Sequence, residues 1–205
     1  MVAIYQTAYP RLKQTFTQKD LDEIYTPTAA ELRFALRHCK RGSTSFLGLL
    51  VQLKIVQRLG RFVTFGDVPT PIIQHIKQLV RNRSSLADLS AYFSSGAKDR
   101  HVRLIRQHLK LRPYETASTN DKVLQWATSA AKTKEALADI INVALEYLVK
   151  EQFEIPPFSV LQRLCQSARS QVNNTYYDQL VGYLNAEGRA IVNRLLNASG
   201  SEQFG

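Results

Sequence analysis

The stretch "TPTAAELRFALRHCKRGSTSFLGLLVQLKIVQRLG", residues 26–60, decides the fold class of this chain. Thr28 is followed three residues later by Glu31, a spacing that is typical of a capping box at a helix N-terminus. The capping box predicts a helix that runs to about Cys39. A short polar turn, "KRGSTS", comes next, and we expect Gly42 to end this first helix.

The second helix of the stretch is predicted to begin with Ser43 or Thr44 as its cap and to stop at Gly60. Its apolar residues share one face of a helical wheel, namely Phe46, Leu49, Leu50, Leu53 and Val56. Lys54 and Arg58 form an i, i+4 pair on another face, which we expect to be exposed. Two helices joined by a short glycine-containing turn make a helix-turn-helix-like hairpin, and such hairpins present their second helix to the DNA major groove.

The same part of the chain is strongly basic. From Leu32 to Gly66 there are seven Lys and Arg residues and no Asp or Glu. They are Arg33, Arg37, Lys40, Arg41, Lys54, Arg58 and Arg61. Residues 32–112 hold 16 basic and three acidic residues, whereas the rest of the chain holds 11 basic and 14 acidic ones, so all of the net charge of +10 arises in one segment. Solvated surfaces normally intersperse acids, so this segment favours a polyanionic partner, nucleic acid before an acidic membrane surface.

Helical periodicity continues through the rest of the chain, without a strand or hairpin signal. Further helices are predicted at 18–25, from near Pro71, and at 86–92, 98–111, 121–131, 134–150, 159–184 and 187–196. The predicted fold class is all-α, a helical bundle with helix-turn-helix-like DNA-binding hairpins. In the long helix near the C-terminus the predicted core stripe is Leu161, Leu164, Cys165, Ala168, Val172, Tyr176 and Tyr183.

The helix predicted at 98–111 carries a second basic face. Arg100, Arg103, Arg106, Gln107 and Lys110 fall within about a third of its circumference. Asp99, four residues before Arg103, is the one carboxylate at i, i+4 spacing to this face and is too little to balance the repulsion, so a DNA backbone is a suitable partner. A solvated helix face is the alternative interpretation.

The polar stretch "RPYETASTND", residues 112–121, contains a proline and lacks an apolar period, and it predicts a boundary. We divide the chain into a basic helical DNA-binding region at 1–112 and a second helical region at 113–198. The second region is expected to support DNA binding or to mediate self-association. Residues 199–205 form a tail.

Candidate DNA-contacting residues come from both basic faces and from the N-terminus of the second hairpin helix, where hydroxyls and free N–H groups suit phosphate oxygens. The set is Arg37, Lys40, Arg41, Ser43, Thr44, Ser45, Gln52, Lys54, Arg58, Arg61, Arg100, Arg103, Arg106, Gln107, Lys110 and Arg112. Gln52 and Arg58 are the candidates for reading base edges.

Patterns for catalysis or metal binding are missing from the sequence. "GRFVTFG" lacks the spacing and the lysine of a P-loop, and "GSTSF" lacks the closing glycine of a nucleophile elbow. His101 and His108 lie two helical turns apart without a third ligand, so a hydrogen-bonded or solvent-facing pair is expected. We predict no catalytic residue, no metal site and no cofactor in this chain.

The compartment follows from what the composition excludes. Cys39 and Cys165 are too few and too far apart for a disulfide framework. The N-terminus has no apolar run of signal-peptide length, and the longest apolar run, residues 46–59, is too short and too polar to span a bilayer. The sequence predicts a cytoplasmic protein without a membrane partner.

Four stretches together resemble the N-terminal region of Tn-three family transposases. They are "FLGLLVQLKIVQRLGRF" (46–62), "VPTPIIQHIKQLV" (68–80), "YFSSGAKDRHVRLIRQHLKLRPY" (92–114) and "IPPFSVLQRLCQSARSQ" (155–171). The resemblance extends from Thr26 to Leu184. It departs from the family pattern at Lys110 or Leu111, where a glycine is usual, and at Leu49 or Leu50, where an alanine is usual.

The resemblance implies a bacterial DNA-binding module that recognises the terminal inverted repeats of its transposon and lies on the nucleoid when bound. The acidic DDE residues that cleave and transfer strands in such transposases, and the magnesium that they use, are expected in a part beyond Gly205. Two alternatives stay open. The first alternative is a stand-alone helical regulator that binds DNA or RNA. The second is a protein-interaction scaffold.

Overall fold

The computed structural model describes residues 2–184 and 186–200. This part of the chain forms ten α-helices and no β-strand. The helices are α1 (Gln18–Asp20), α2 (Ala29–His38), α3 (Thr44–Leu59), α4 (Thr70–Leu79), α5 (Leu86–Phe93), α6 (Gly96–Leu109), α7 (Thr116–Ala131), α8 (Leu137–Lys150), α9 (Phe158–Tyr183) and α10 (Ala186–Gly200). α1 continues into a π-helical turn at Leu21–Tyr25, and 3-10 turns lie at Ile4–Gln6 and Phe65–Asp67. The predicted all-α fold class is confirmed.

The predicted capping box at the start of α2 is present. The Thr28 hydroxyl accepts a hydrogen bond from the Glu31 backbone N–H at 3.2 Å, and the Glu31 carboxylate accepts one from the Thr28 N–H at 2.7 Å. The two bonds satisfy backbone donors that a helix N-terminus leaves free. They fix where α2 begins.

The turn between α2 and α3 differs in one respect from the prediction. α2 already ends at His38, with Cys39 extended, so Gly42 does not end this helix. Gly42 lies within the turn with a φ of 78°, a conformation that glycine adopts without steric cost. Ser43 is the cap of α3, since its hydroxyl accepts from the Phe46 N–H at 3.1 Å, and Gly60 ends α3 with a φ of 66°.

α3 is the central helix of the first hydrophobic core. α2, α4, α5 and α6 pack around it, and its residues from Phe46 to Val56 are all buried. α5 comes so close that a Cβ at Gly48 would overlap the ring of Tyr92. The predicted apolar face is buried as expected, but Leu47, Val51 and Ile55 on the other faces are buried as well.

A second core is formed by α7, α8 and α9, together with Tyr9 from the N-terminal segment. In α9 the predicted core stripe is confirmed for Leu161, Cys165, Ala168 and Val172, and the partly buried Leu164 packs against the same core. It is wrong for two positions beyond them, Tyr176 and Tyr183, which are exposed because α9 extends past α7 and α8. α10 includes positions 199 and 200 of the predicted tail, and 201–205 lie outside the described residues.

The two cores meet at a polar junction. The Ile155 N–H donates to the Gly60 carbonyl at 2.9 Å, and Arg112 exchanges backbone hydrogen bonds with Gln152 and Glu154. The stretch predicted as a boundary, 112–121, is only partly irregular, because α7 begins inside it at Thr116. The division of the chain at residue 112 stays a prediction. In the described part of the chain, no helix is both long enough and apolar enough to cross a membrane.

Candidate nucleic-acid interface

The two polar residues at the middle of α3 lie inside the protein. Gln52 is 4% exposed, and its side-chain amide donates to the Tyr92 hydroxyl at 2.7 Å. Lys54 is 8% exposed, and its ammonium group faces Glu31. The expectation that Lys54 lies on an exposed face of α3 is therefore wrong. Neither side chain is placed where a base or a phosphate could reach it, so we leave both out of the candidate interface.

Glu31 supplies the counter-charge that the basic stretch itself lacks. Burial is the largest single influence on the pKa of Glu31, and it raises that pKa. Hydrogen bonds from Gln57 and from the Thr28 backbone, together with the charge of Lys54, act in the opposite direction and outweigh it, so the pKa is lowered overall. The Gln57 amide donates to the carboxylate at 2.7 Å. The ionised carboxylate therefore has three partners, and Lys54 is neutralised within the fold.

The helix-turn-helix-like presentation of α3 is not confirmed. A recognition helix needs one exposed face, whereas twelve of the sixteen residues of α3 are buried. What the hairpin does expose is its turn, with Lys40 and Arg41, and the neighbouring Arg37 at the end of α2. The basic turn is therefore exposed, whereas the second helix is exposed only near its end, at Gln57 and Arg58.

The hydroxyls of this turn are largely used by the protein itself. Ser43 donates to the Lys40 carbonyl at 2.7 Å while it caps α3, and the Thr44 hydroxyl lies 2.8 Å from that of Ser84. Ser45 is half-buried. Of the predicted phosphate ligands in the turn, Lys40 and Arg41 are the exposed ones.

A second turn, between α4 and α5, is attached to the first. The side chain of Asn82, which is 5% exposed, donates to the carbonyls of Gly42 at 3.1 Å and Ser43 at 3.0 Å. Its neighbours Arg81 and Arg83 are exposed. These two arginines were missed in the sequence. The sequence motif "RNRSS", residues 81–85, could have indicated them, because it predicts a helix break and also places two cations in one turn.

The basic face of α6 is present, but its members differ in their surroundings. Arg100, Arg103, Gln107 and Lys110 are exposed. Arg106 instead makes a bidentate contact with Glu154, at 2.6 and 3.1 Å, across the junction of the two cores. Arg106 therefore has a carboxylate partner, which lies 48 residues away in sequence and so falls outside the i, i+4 spacing considered in the sequence.

Three further candidates lie near the junction. The Arg112 guanidinium stacks 4.0 Å above the Phe153 ring and lies 3.7 Å from Glu151. Arg61 is half-buried, with its guanidinium 6.0 Å from the ring centre of Tyr9. Arg58, at the last turn of α3, is exposed and is the base-reading candidate that remains accessible.

The predicted histidine pair is divided between two environments. His101 is buried, with Nδ1 2.7 Å from the Tyr92 hydroxyl and Nε2 3.4 Å from the Cys39 sulfur. Burial, and then the charge of Arg100, lower its pKa. His108 stacks on Phe34 with ring centres 4.1 Å apart. Within the described residues, no group of three His, Cys, Asp or Glu side chains is arranged to hold a metal ion.

Comparison with known proteins gives two matches. Residues 3–168 match the sequence family described as "Domain of unknown function (DUF4158)". Over 185 residues the chain is 28% identical to a protein of Pseudomonas aeruginosa named "Transposase for transposon Tn501". The alignment covers 88% of this chain and 18% of that relative, so the chain spans less than a fifth of the relative's length.

Proposed function

This chain belongs to the DUF4158 family and is similar to the N-terminal region of a Tn-three family transposase, and from that premise we propose that it is a DNA-binding module. Its target would be the terminal inverted repeats of a transposon. The relative's name describes it as the transposase of one transposon. A protein of that kind needs a part that recognises the ends of its element, and a basic module suits this part.

The observation that carries the proposal is the set of exposed cations that lack a partner in the fold. Lys40 and Arg41 in the α2–α3 turn, and Arg100 and Arg103 on α6, take no part in an ion pair within the described residues. In contrast, the buried Lys54 and the half-buried Arg106 each have a glutamate. The cations inside the fold are therefore balanced by glutamates, whereas the exposed cations are available to bind phosphate groups.

The exposed cations have separate roles in this proposal. Lys and Arg in turns and along one helix face contact phosphates, which fixes the register of the protein on the duplex. Sequence is read by a smaller number of side chains that reach base edges, and Arg58 is suited to a bidentate contact with guanine.

The second region, α7 to α10, would serve as a support for the DNA-binding face or as a site of self-association. Strand cleavage and transfer, with magnesium, would be carried out by another part of the parent transposase. We expect the 205-residue chain to leave transposon-end DNA uncut with or without magnesium, and cleavage in a gel assay would contradict this assignment. The protein would act in the bacterial cytoplasm, on the nucleoid when bound.

The test is a binding titration by fluorescence anisotropy against three probes at several salt concentrations. The probes are a duplex with the terminal inverted repeat, a scrambled duplex of equal length and an RNA hairpin. The proposal predicts preference for the repeat and a slope of log K against log salt of about −0.9 for each phosphate contacted. A slope near zero would favour a protein-interaction scaffold. Equal binding to all three probes would favour a stand-alone nucleic-acid-binding regulator.

A further inference from the structure

We propose that the turns at 40–44 and 81–84 form one phosphate-binding surface, with Lys40, Arg41, Arg81 and Arg83 as its cations. This inference rests on the proposed function and names a binding surface within it. Residues 81–84 are 40 positions away from the hairpin turn, and only the fold joins the two. The ligand is the sugar-phosphate backbone of a DNA duplex.

The two turns are joined by hydrogen bonds. Asn82 reaches from one turn to two carbonyls of the other, and its Oδ1 accepts from the Ser84 N–H at 2.8 Å. The Thr44 and Ser84 hydroxyls add a further contact at 2.8 Å. Because the Asn82 side chain is directed to the core side, the flanking Arg81 and Arg83 remain exposed beside the hairpin turn. The four exposed cations therefore lie on two turns that the fold joins.

Arg81 has an unusual backbone conformation. Its φ of 52° lies in the left-handed region, and it follows the last turn of α4. The Arg81 N–H bonds to the Gln78 carbonyl at 3.1 Å, and the Asn82 N–H bonds to the Lys77 carbonyl at 3.0 Å. This pair of bonds is a Schellman motif, and glycine is the usual residue at the left-handed position. An arginine there strains the backbone, and such strain is often retained at functional sites.

A purely structural role for Arg81 has to be separated from this proposal. A cation beyond the C-terminus of α4 interacts favourably with the helix dipole, and this could compensate for the backbone strain. The acid nearest in sequence, Asp88, is already engaged by the Ser85 cap of α5. The two explanations predict opposite effects of glycine. If the dipole interaction dominates, Arg81→Gly lowers the melting temperature, and if the side chain serves DNA, the variant keeps or raises it while binding weakens.

The experiment compares three variants of the 205-residue chain. R81G/R83A removes two cations from the proposed surface. K132A/K134A removes two exposed cations between α7 and α8, from the part of the chain with a net negative charge, and is the matched control for charge. Q152G replaces another residue with a positive φ, 57°, and is the control for relief of backbone strain without loss of charge. Each variant is titrated with the repeat and scrambled duplexes over a salt series and is melted without DNA.

The proposal predicts that R81G/R83A binds both duplexes several-fold more weakly, reduces the salt slope by about two units and melts no lower than the wild type. K132A/K134A should bind like the wild type. If R81G/R83A and K132A/K134A bind alike while the wild type shows salt-dependent binding, this surface is wrong and the proposed function stands. A lower melting temperature for R81G/R83A with unchanged binding would likewise overturn it in favour of the dipole explanation. If the wild type itself fails to bind DNA, both the proposed function and this inference are wrong.

Discussion

The ammonium nitrogen of Lys54 lies 3.4 Å from both carboxylate oxygens of Glu31, so the residue that caps α2 also neutralises a charge buried in α3. The capping box and the ion pair share one carboxylate. This relationship explains how an almost completely buried helix tolerates a lysine within a stretch, Leu32 to Gly66, that has no acid of its own. The acid stands one position before that stretch.

Replacement of Glu31 by alanine should strongly destabilise the fold. The change leaves the Lys54 charge buried without a partner and removes a helix cap, and losing one partner of a buried pair costs about 3–5 kcal/mol. Equilibrium denaturation measures the effect. The double variant Glu31→Ala/Lys54→Met should recover much of the loss, because it leaves no unpaired charge. A decrease in the free energy of unfolding of less than about 1 kcal/mol for the single variant would show that water solvates the Lys54 ammonium group in place of Glu31.

The stability of the first core should decrease as the pH falls below about 6.5, the ordinary pKa of histidine. His101 has a lowered pKa in the folded state, so in this range the unfolded chain binds more protons at this position than the folded chain does. The contribution of His101 to stability is complete when the pH is above the pKa of this histidine in the unfolded chain. It is lost as the pH falls towards the lower pKa of His101 in the folded protein. Cys39, Tyr92, Arg100 and His38 surround or influence the ring, and the charges of Arg100 and His38 act in the same direction as burial.

The measurement is the free energy of unfolding between pH 5 and 8 for the wild type and for His101→Gln. The wild type should lose stability on the acid side with a slope that the variant lacks. Parallel curves for the two proteins would show that another group causes the pH dependence.

The accuracy of the sequence-based predictions depended on the range of each interaction. The caps Thr28 and Ser43 and the stop at Gly60 were predictable, because their partners lie within four residues in the chain. The hydrogen-bond partners of Asn82 and Arg106 were not predictable, because these contacts join residues about 40 and 48 positions apart in sequence. The error at Lys54 has a different cause.

A helical wheel assigns a polar residue to the solvent side, whereas α3 is buried on all sides from Phe46 to Val56. The packing of four neighbouring helices around one central helix is a property of the tertiary fold, and one helix's pattern does not contain it. Gln52 and Lys54 interrupt the apolar pattern of α3. They can be buried there because each has a polar partner inside the protein, Tyr92 for Gln52 and Glu31 for Lys54. The i, i+4 pair of Lys54 and Arg58 led to the prediction of an exposed face, which is wrong for Lys54.

Replacement of Asn82 by alanine should cost about 1–3 kcal/mol of stability, since it removes three part-buried hydrogen bonds made by a buried side chain. The affected groups are the carbonyls of Gly42 and Ser43 and the N–H of Ser84. Thermal or chemical unfolding measures the loss, and Gln78→Ala, an exposed change on α4, is the control. An Asn82→Ala variant as stable as the control would mean that the two turns are held by other contacts.

The last prediction separates the arginines of α6. Arg103 is exposed and lacks an ion pair among the described residues, whereas the guanidinium of Arg106 is held by Glu154 and lies 5.4 Å from the ring centre of Phe62. Arg103→Ala should therefore leave the melting temperature nearly unchanged and lower the salt slope of DNA binding by about one unit. Arg106→Ala should lose about 1.5–3 kcal/mol of stability, because it breaks charged hydrogen bonds that are partly buried.

Arg100→Ala/Arg103→Ala is the corresponding double variant, with an expected decrease of about two units in the slope if both arginines follow one DNA backbone. Glu154→Gln is the control for Arg106: it should destabilise the protein as Arg106→Ala does, because it weakens the same ion pair without removing a cation. DNA binding and unfolding are measured on the same preparations, so that a loss of affinity caused by unfolding is recognised. A folded double variant with unchanged affinity and slope would make this face of α6 an ordinary solvated surface, and DNA binding would then depend on the joined turns beside α3.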